Sequence, residues 1–175
     1  YEESLRMIHR KNLTTQYNES NLIKTLEVRV PSDWADYNGH MNEARYLDCF
    51  CEATDEFMKI IGCNETYIKS GSSFFTVETH IRHLVETSIG DTLLVETQLI
   101  YGIGKKMHLF HIMKNKDNVI VSTGEHMLIH VSLKTRSASD PSPDIQKRLR
   151  SIFSKHANLP SPKGLGNAIS NSNKD

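Results

Sequence analysis

Asp36 stands six residues before Asn42, with Asn38, Gly39 and His40 between them, in the run Trp34-Ala-Asp36-Tyr37-Asn38-Gly39-His40-Met-Asn42-Glu43-Ala-Arg-Tyr46-Leu. Asp, Asn and Gly favour turns, and Asn is a preferred N-cap, so this run reads as a loop feeding a helix. A carboxylate held just ahead of a helix start faces unpaired backbone N–H groups and the positive end of the helix dipole. That pairing suits attack on an electrophilic carbonyl. The N–H groups around Asn42, Glu43 and Ala44 can receive the oxygen as charge builds on it. Asp36 can attack directly or activate water. The residues leave these two routes open. Gly39 lets the backbone approach a substrate without a side chain in the way.

Such a site needs a strand before the loop and a long helix after it. Leu22 to Val30 alternates, with Leu22, Lys24, Leu26, Val28 and Val30 on one side and Pro31 closing the run. From Asn42 to about Ile61 the apolar spacing is helical: Ala44, Leu47, Phe50 or Cys51, Thr54, Met58 and Ile61, with Gly62 as the stop. Four alternating segments follow: Ser73–Leu84, Asp91–Tyr101, Lys106–Lys114 and Val119–Leu133. In the first of them Phe75, Val77, Thr79 and Ile81 oppose Phe74, Thr76, Glu78 and His80. The order predicts an α+β fold, a five-stranded antiparallel sheet wrapped around one long central helix. Asp144–His156 reads as a closing helix with Ile145, Leu149, Ile152 and Phe153 inward. One domain is expected over residues 21–157, with 1–20 as a lead-in or junction from a preceding domain and 158–175 as a flexible tail rich in Pro, Gly, Ser and Asn.

Composition narrows the partners. Lys plus Arg and Asp plus Glu number 21 each, so there is no basic field for nucleic acid or an anionic membrane surface. No apolar run reaches bilayer-spanning length. Three cysteines, Cys49, Cys51 and Cys63, cannot all pair within one chain, which favours reduced thiols and a cytoplasmic setting. His80, His83, His108, His111, His126 and His130 are spread over three strands and read as hydrogen-bonded or solvated groups; no metal and no cofactor are expected.

The pattern D-x-x-G-H-x-N-x-x-x-Y-L resembles the signature of the 4-hydroxybenzoyl-CoA thioesterase-like branch of the hotdog superfamily. The resemblance implies an acyl-CoA thioesterase of hotdog fold. It places the catalytic carboxylate at Asp36 and the carbonyl-polarising N–H at about Glu43, and it matches Gly39, His40, Asn42 and Tyr46 to motif positions. Trp34 and Glu43 stand where many relatives carry Asp and a second Asn, which bears on acyl preference. Trp34-Ala-Asp-Tyr-Asn-Gly-His-Met-Asn, Phe75-Thr-Val-Glu-Thr-His80 and Met127-Leu-Ile-His-Val131 are similar to the thioesterase domain linked to carnitine dehydrogenase in bacterial carnitine breakdown. That likeness implies betainyl-CoA as substrate and association with, or fusion to, a dehydrogenase domain.

A trimethylammonium acyl group calls for aromatic faces and a carboxylate. Trp34, Tyr37, Phe74, Phe75 and Glu78 are the residues to supply them, beside Asn38, Gly39, His40 and Tyr46 in the substrate site. Arg82, Lys105 and Lys106 are candidates for the coenzyme A phosphates. A lone hotdog leaves an open sheet edge, so a homodimer or dimer of dimers is expected, with the site at the interface as the family implies. Two rivals remain: a hotdog that binds acyl-CoA without cleaving it, which has no need of Asp36, and a hotdog hydratase or dehydratase, which needs a different acid–base pair.

Overall fold

The computed structural model describes residues 21–170; the expected lead-in over 1–20 and the last five residues lie outside them. Strand β1 (Ile23–Arg29) leads through a single 3-10 turn (Ser32–Trp34) to helix α1 (Glu43–Ile60). A short helix α2 (Glu65–Lys69), not among the elements expected from the sequence, joins α1 to the sheet. Then come β2 (Ser72–His83), β3 (Thr92–Ile103), β4 (Lys106–Asn115), β5 (Ile120–Ser132), a two-residue β6 (Ser137–Ala138) and helix α3 (Pro143–His156). The sheet order is β1-β3-β4-β5-β2, with β6 added beside β5, and every pairing is antiparallel. Helix α1 packs on the inner face of this curled sheet, across β1, β3, β4 and β5. This is the hotdog arrangement, with five long strands as expected.

Helix α1 starts and stops on local chemistry. Asn42 caps it, its Oδ1 accepting from the Ala44 N–H at 2.9 Å. At the other end Gly62, at φ +94°, turns the chain so that the Gly62 and Cys63 N–H groups donate to the carbonyls of Lys59 and Met58, a Schellman motif. The inward face is Tyr46, Cys49, Phe50, Ala53, Thr54 and Phe57. This corrects the face read from spacing: Leu47 and Cys51 are exposed and Ala44 stands in solvent. Both registers of the helix carry apolar residues, and the sheet selects the one that presents the large rings.

The strands need two further corrections, both caused by bulges. In β1 the pairing with β3 shifts between Lys24 and Leu26. Ile23 is therefore inward together with Leu26 and Val28, and the exposed Lys24 is not on their side. In β2 the shift falls between Thr76 and Glu78. Phe74 and Ile81, an odd number of residues apart, both pack toward the core, while Phe75 and Glu78 share the outer face. A single extra residue reverses the alternation on either side of it.

The core has two joined halves. Phe57 and Ile61 meet Leu99, Met107, Leu109 and Leu128, with Ile145, Leu149 and Ile152 of α3 closing over them. Tyr46, Cys49, Phe50 and Ala53 meet Leu26, Val28, Leu93, Val95, Met113 and Val121. The second half underlies the Asp36 loop.

Beyond α3 the chain crosses the outer face. Gln98 on β3 donates to the carbonyls of His156 and Pro160, both at 3.4 Å, the Gly166 N–H donates to Glu125 Oε2 on β5 at 2.9 Å, and Gly164 lies against the Arg82 guanidinium on β2. Phe110, an outward residue paired with Gln98 and Glu125, is only 2% exposed.

Candidate active site

Asp36 opens a tight reverse turn. Its N–H donates to the His40 carbonyl at 2.8 Å and its carbonyl accepts from the Gly39 N–H at 3.1 Å. The side chain folds back over the same turn, and Oδ1 accepts from the N–H groups of Asn38 (2.8 Å) and His40 (3.1 Å). Oδ2 has no hydrogen-bond partner among the described residues. Gly39 adopts φ +80°, and a Cβ there would meet nothing within 4 Å, so conformation rather than space calls for glycine.

The turn is tied to the helix start. Ala35 bridges Met41, and the Asn42 N–H donates to the Trp34 carbonyl at 2.9 Å. Of the first N–H groups of α1, that of Ala44 is used by the Asn42 side chain and that of Arg45 by the Asn42 carbonyl. The Glu43 N–H has no partner among the described residues. Capping thus leaves one amide uncommitted at the positive end of the helix.

A second wall comes from the segment between β2 and β3, which the sequence reading left out of the site. His40 bridges Ser88, the Met41 N–H donates to the Thr87 carbonyl at 2.8 Å, and His40 Nε2 lies 3.6 Å from Glu86 Oε2. Asp91 holds this segment through the Ser88 N–H. The turn residues Ser88 and Gly90 mark a loop in the sequence, but nothing local marks what it pairs with.

The residues singled out from sequence divide into two groups. Trp34, Asp36, Asn38, Gly39, His40, Asn42 and Glu43 are brought together in the loop and at the helix start. Tyr37 points into solvent at 97% exposure, while Tyr46 is only 4% exposed. The Tyr46 ring stands edge-on to His83, and burial, followed by smaller effects that include the charge of Asp36, raises its pKa. It forms the floor beneath the loop. Phe75 and Glu78 lie on the outer face of β2, and no hydrogen bond or ring contact joins either to the loop among the described residues. Two arginines cover aromatic faces: Arg45 lies 5.8 Å from the Trp34 ring centroid and Arg136 5.7 Å from that of Phe75.

Other chemistries find little support. Burial, then the charges of Glu52 and Asp48, pushes the Cys49 thiol up to about 12, and burial is the first cause of the raised values at Cys51 and Cys63, so none is a ready thiolate. No group of three or more His, Cys, Asp or Glu is placed to hold a metal among the described residues. No described helix is long and apolar enough to cross a membrane.

Residues 30–149 match the model of the thioesterase-like superfamily, and the chain belongs to that family. Among its curated relatives is a protein of Ruegeria pomeroyi named L-carnitine dehydrogenase/betainyl-CoA thioesterase, 52% identical over 147 residues; the match covers 84% of this chain and 30% of that protein's length. A shorter relative, named betainyl-CoA thioesterase, from Pseudomonas aeruginosa, is 34% identical over 152 residues and is covered over 96% of its length. Among solved structures, a putative thioesterase of Pseudomonas putida superposes with a TM-score of 0.75 at 29% identity, covering 86% of this chain and 97% of that one. A hypothetical protein of Staphylococcus aureus in complex with CoA superposes with a TM-score of 0.80 at 24% identity, covering 85% and 96% respectively, a likeness of fold.

Proposed function

We propose that this chain hydrolyses an acyl-CoA thioester, with Asp36 as the catalytic carboxylate and betainyl-CoA as the substrate. The observation that carries the reading is the pairing of Asp36, one oxygen pinned by two amides and the other uncommitted, with a free N–H at the start of α1. The thioester carbonyl oxygen accepts from the Glu43 N–H, a contact worth roughly 3 kcal/mol where it strengthens in the transition state. Asp36 takes a proton from water as the water oxygen bonds to the carbonyl carbon. The C–S bond then breaks, Asp36 passes its proton to the departing sulfur so that CoA leaves as thiol, and the acid is released with the carboxylate restored. Direct attack by Asp36, giving an anhydride that water opens, uses the same placement. Asn42 serves by fixing the helix start, and His40 by holding the turn against the second wall.

The acyl group follows from the relatives named for betainyl-CoA, one of which is matched along nearly its whole length. The bifunctional relatives support association with a dehydrogenase domain, covalent or not. A second copy of the chain is expected at β2: this edge strand exposes Val77 (60%) and Phe75 (41%), and an open edge with apolar side chains favours pairing. The substrate and the free thiols suit the cytoplasm.

A panel of acyl-CoAs that includes betainyl-CoA tests the reading through release of free thiol. Hydrolysis fastest with betainyl-CoA is the expected result. Tight binding without thiol release would leave only a sensor of acyl-CoA.

A further inference from the structure

A betainyl group carries a fixed positive charge next to the scissile carbonyl, so a site that selects it must offer either an open aromatic face or negative charge. In this protomer the Trp34 and Phe75 rings already carry the guanidinium groups of Arg45 and Arg136, the Tyr37 ring stands in solvent, and Glu78 is on the outer face of β2. The carboxylate that does reach the loop is one the motif does not contain. Glu86 Oε2 lies 3.6 Å from His40 Nε2, beyond hydrogen-bonding distance, and the neighbouring backbone is clamped to the loop by the Met41–Thr87 hydrogen bond and the His40–Ser88 bridge. The His40 N–H in turn donates to Asp36. The backbone next to Glu86 is thus tied to the catalytic turn, while its side chain, 73% exposed, has no lysine or arginine in an ion pair with it among the described residues and meets only His40, a cation when protonated.

We infer that Glu86 is the specificity determinant that selects a cationic acyl group, the anion against which the quaternary ammonium lies while Asp36 acts on the carbonyl. The inference rests on the thioesterase reading above. It also gives the segment between β2 and β3 a function: it brings a second carboxylate to the site, separate from the one that acts on the carbonyl.

The test compares betainyl-CoA with 3,3-dimethylbutanoyl-CoA, the same shape with carbon in place of the charged nitrogen, in the wild-type full chain and in Glu86→Gln and Glu86→Lys. The wild type should favour the charged substrate, and Glu86→Gln should lower the ratio of the two kcat/KM values by about five-fold, the scale of one nearby charge at a solvent-exposed site. Glu86→Lys should lower it further, and added salt should shrink the wild-type ratio more than that of Glu86→Gln, in which only the charge of Asp36 remains. A ratio unchanged by either substitution overturns the inference, even if both rates fall together, because Glu86 would then only position His40. A wild type that hydrolyses both without preferring the cation also overturns it and leaves the thioesterase reading standing. A wild type that releases thiol from neither sinks that reading, and the inference with it.

Discussion

Asp36 divides its two oxygens between structure and chemistry. Oδ1 holds the turn by accepting from Asn38 and His40, and an amide oxygen can accept those same two bonds. Asp36→Asn should therefore fold normally and melt within about 1 kcal/mol of the wild type, while losing the ionised oxygen that acts on water or carbon. Turnover should fall by about a hundredfold or more, the usual worth of such a group. Thiol-release kinetics beside a thermal melt check both halves; near-normal turnover would remove Asp36 from the mechanism. Asn42 illustrates a residue whose local role is structural: its side-chain oxygen is consumed by the Ala44 N–H, and this consumption is what leaves the Glu43 N–H as the open donor.

Between α1 and the sheet runs a chain of buried hydroxyl and imidazole groups. Thr25 donates to the Val95 carbonyl, so Thr97 must donate to Thr25, His111 Nδ1 to Thr97, and Thr54 to His111 Nε2. Burial, followed by the nearby His126, lowers the pKa of His111 well below the ordinary value, and it is in the neutral ring that Nε2 accepts from Thr54. His126 is lowered to about 4 by burial. In the unfolded chain both take a proton near pH 6.5, whereas the folded state resists it, so stability present at neutral pH is lost as the pH falls from about 6.5 toward 4, by roughly 1.4 kcal/mol per pH unit for each histidine. Urea denaturation at pH 7.5 and pH 5 should show this loss, and His126→Gln should flatten it; an unchanged slope in the variant would acquit His126. The same layer sets another limit. A Cβ on Gly124 would lie 2.7 Å from the Phe50 ring, so Gly124→Ala should destabilise by about 1–3 kcal/mol through overpacking, which a melting curve reads directly.

At the scale of the molecule, the two faces of the sheet are closed by different means. Helices α1 and α3 cover the inner face, and residues 160–166 cross the outer face above Phe110. Ending the chain at Asn158 should uncover Phe110 and the β3–β5 surface, lower the melting temperature and increase binding of a hydrophobic dye. Thiol release below the melting temperature should persist, because the Asp36 loop is built on the other side of the sheet. A truncated chain that melts like the full one would show that this crossing contributes no stability. The β2 edge remains open in the protomer, and it is the place where a second copy can extend the sheet.

What the sequence determined by itself was local. The order of the long elements, the turn at Gly39, the cap at Asn42, the stop at Gly62 and the motif loop are written in residues that act on their immediate neighbours in the chain, through φ preference, capping and alternation. The tertiary structure alone decided the rest. One extra residue at the β1 bulge reversed the facing of Ile23, another at the β2 bulge placed Phe75 and Glu78 on one outer face, and the shape of the sheet chose Tyr46 and Cys49 over Leu47 and Cys51. An isolated bridge and one backbone hydrogen bond between two loops brought Glu86 to His40 across a long stretch of chain. Hydrogen bonds between distant segments and the packing of rings carry no mark in the residues that make them until the chain has folded.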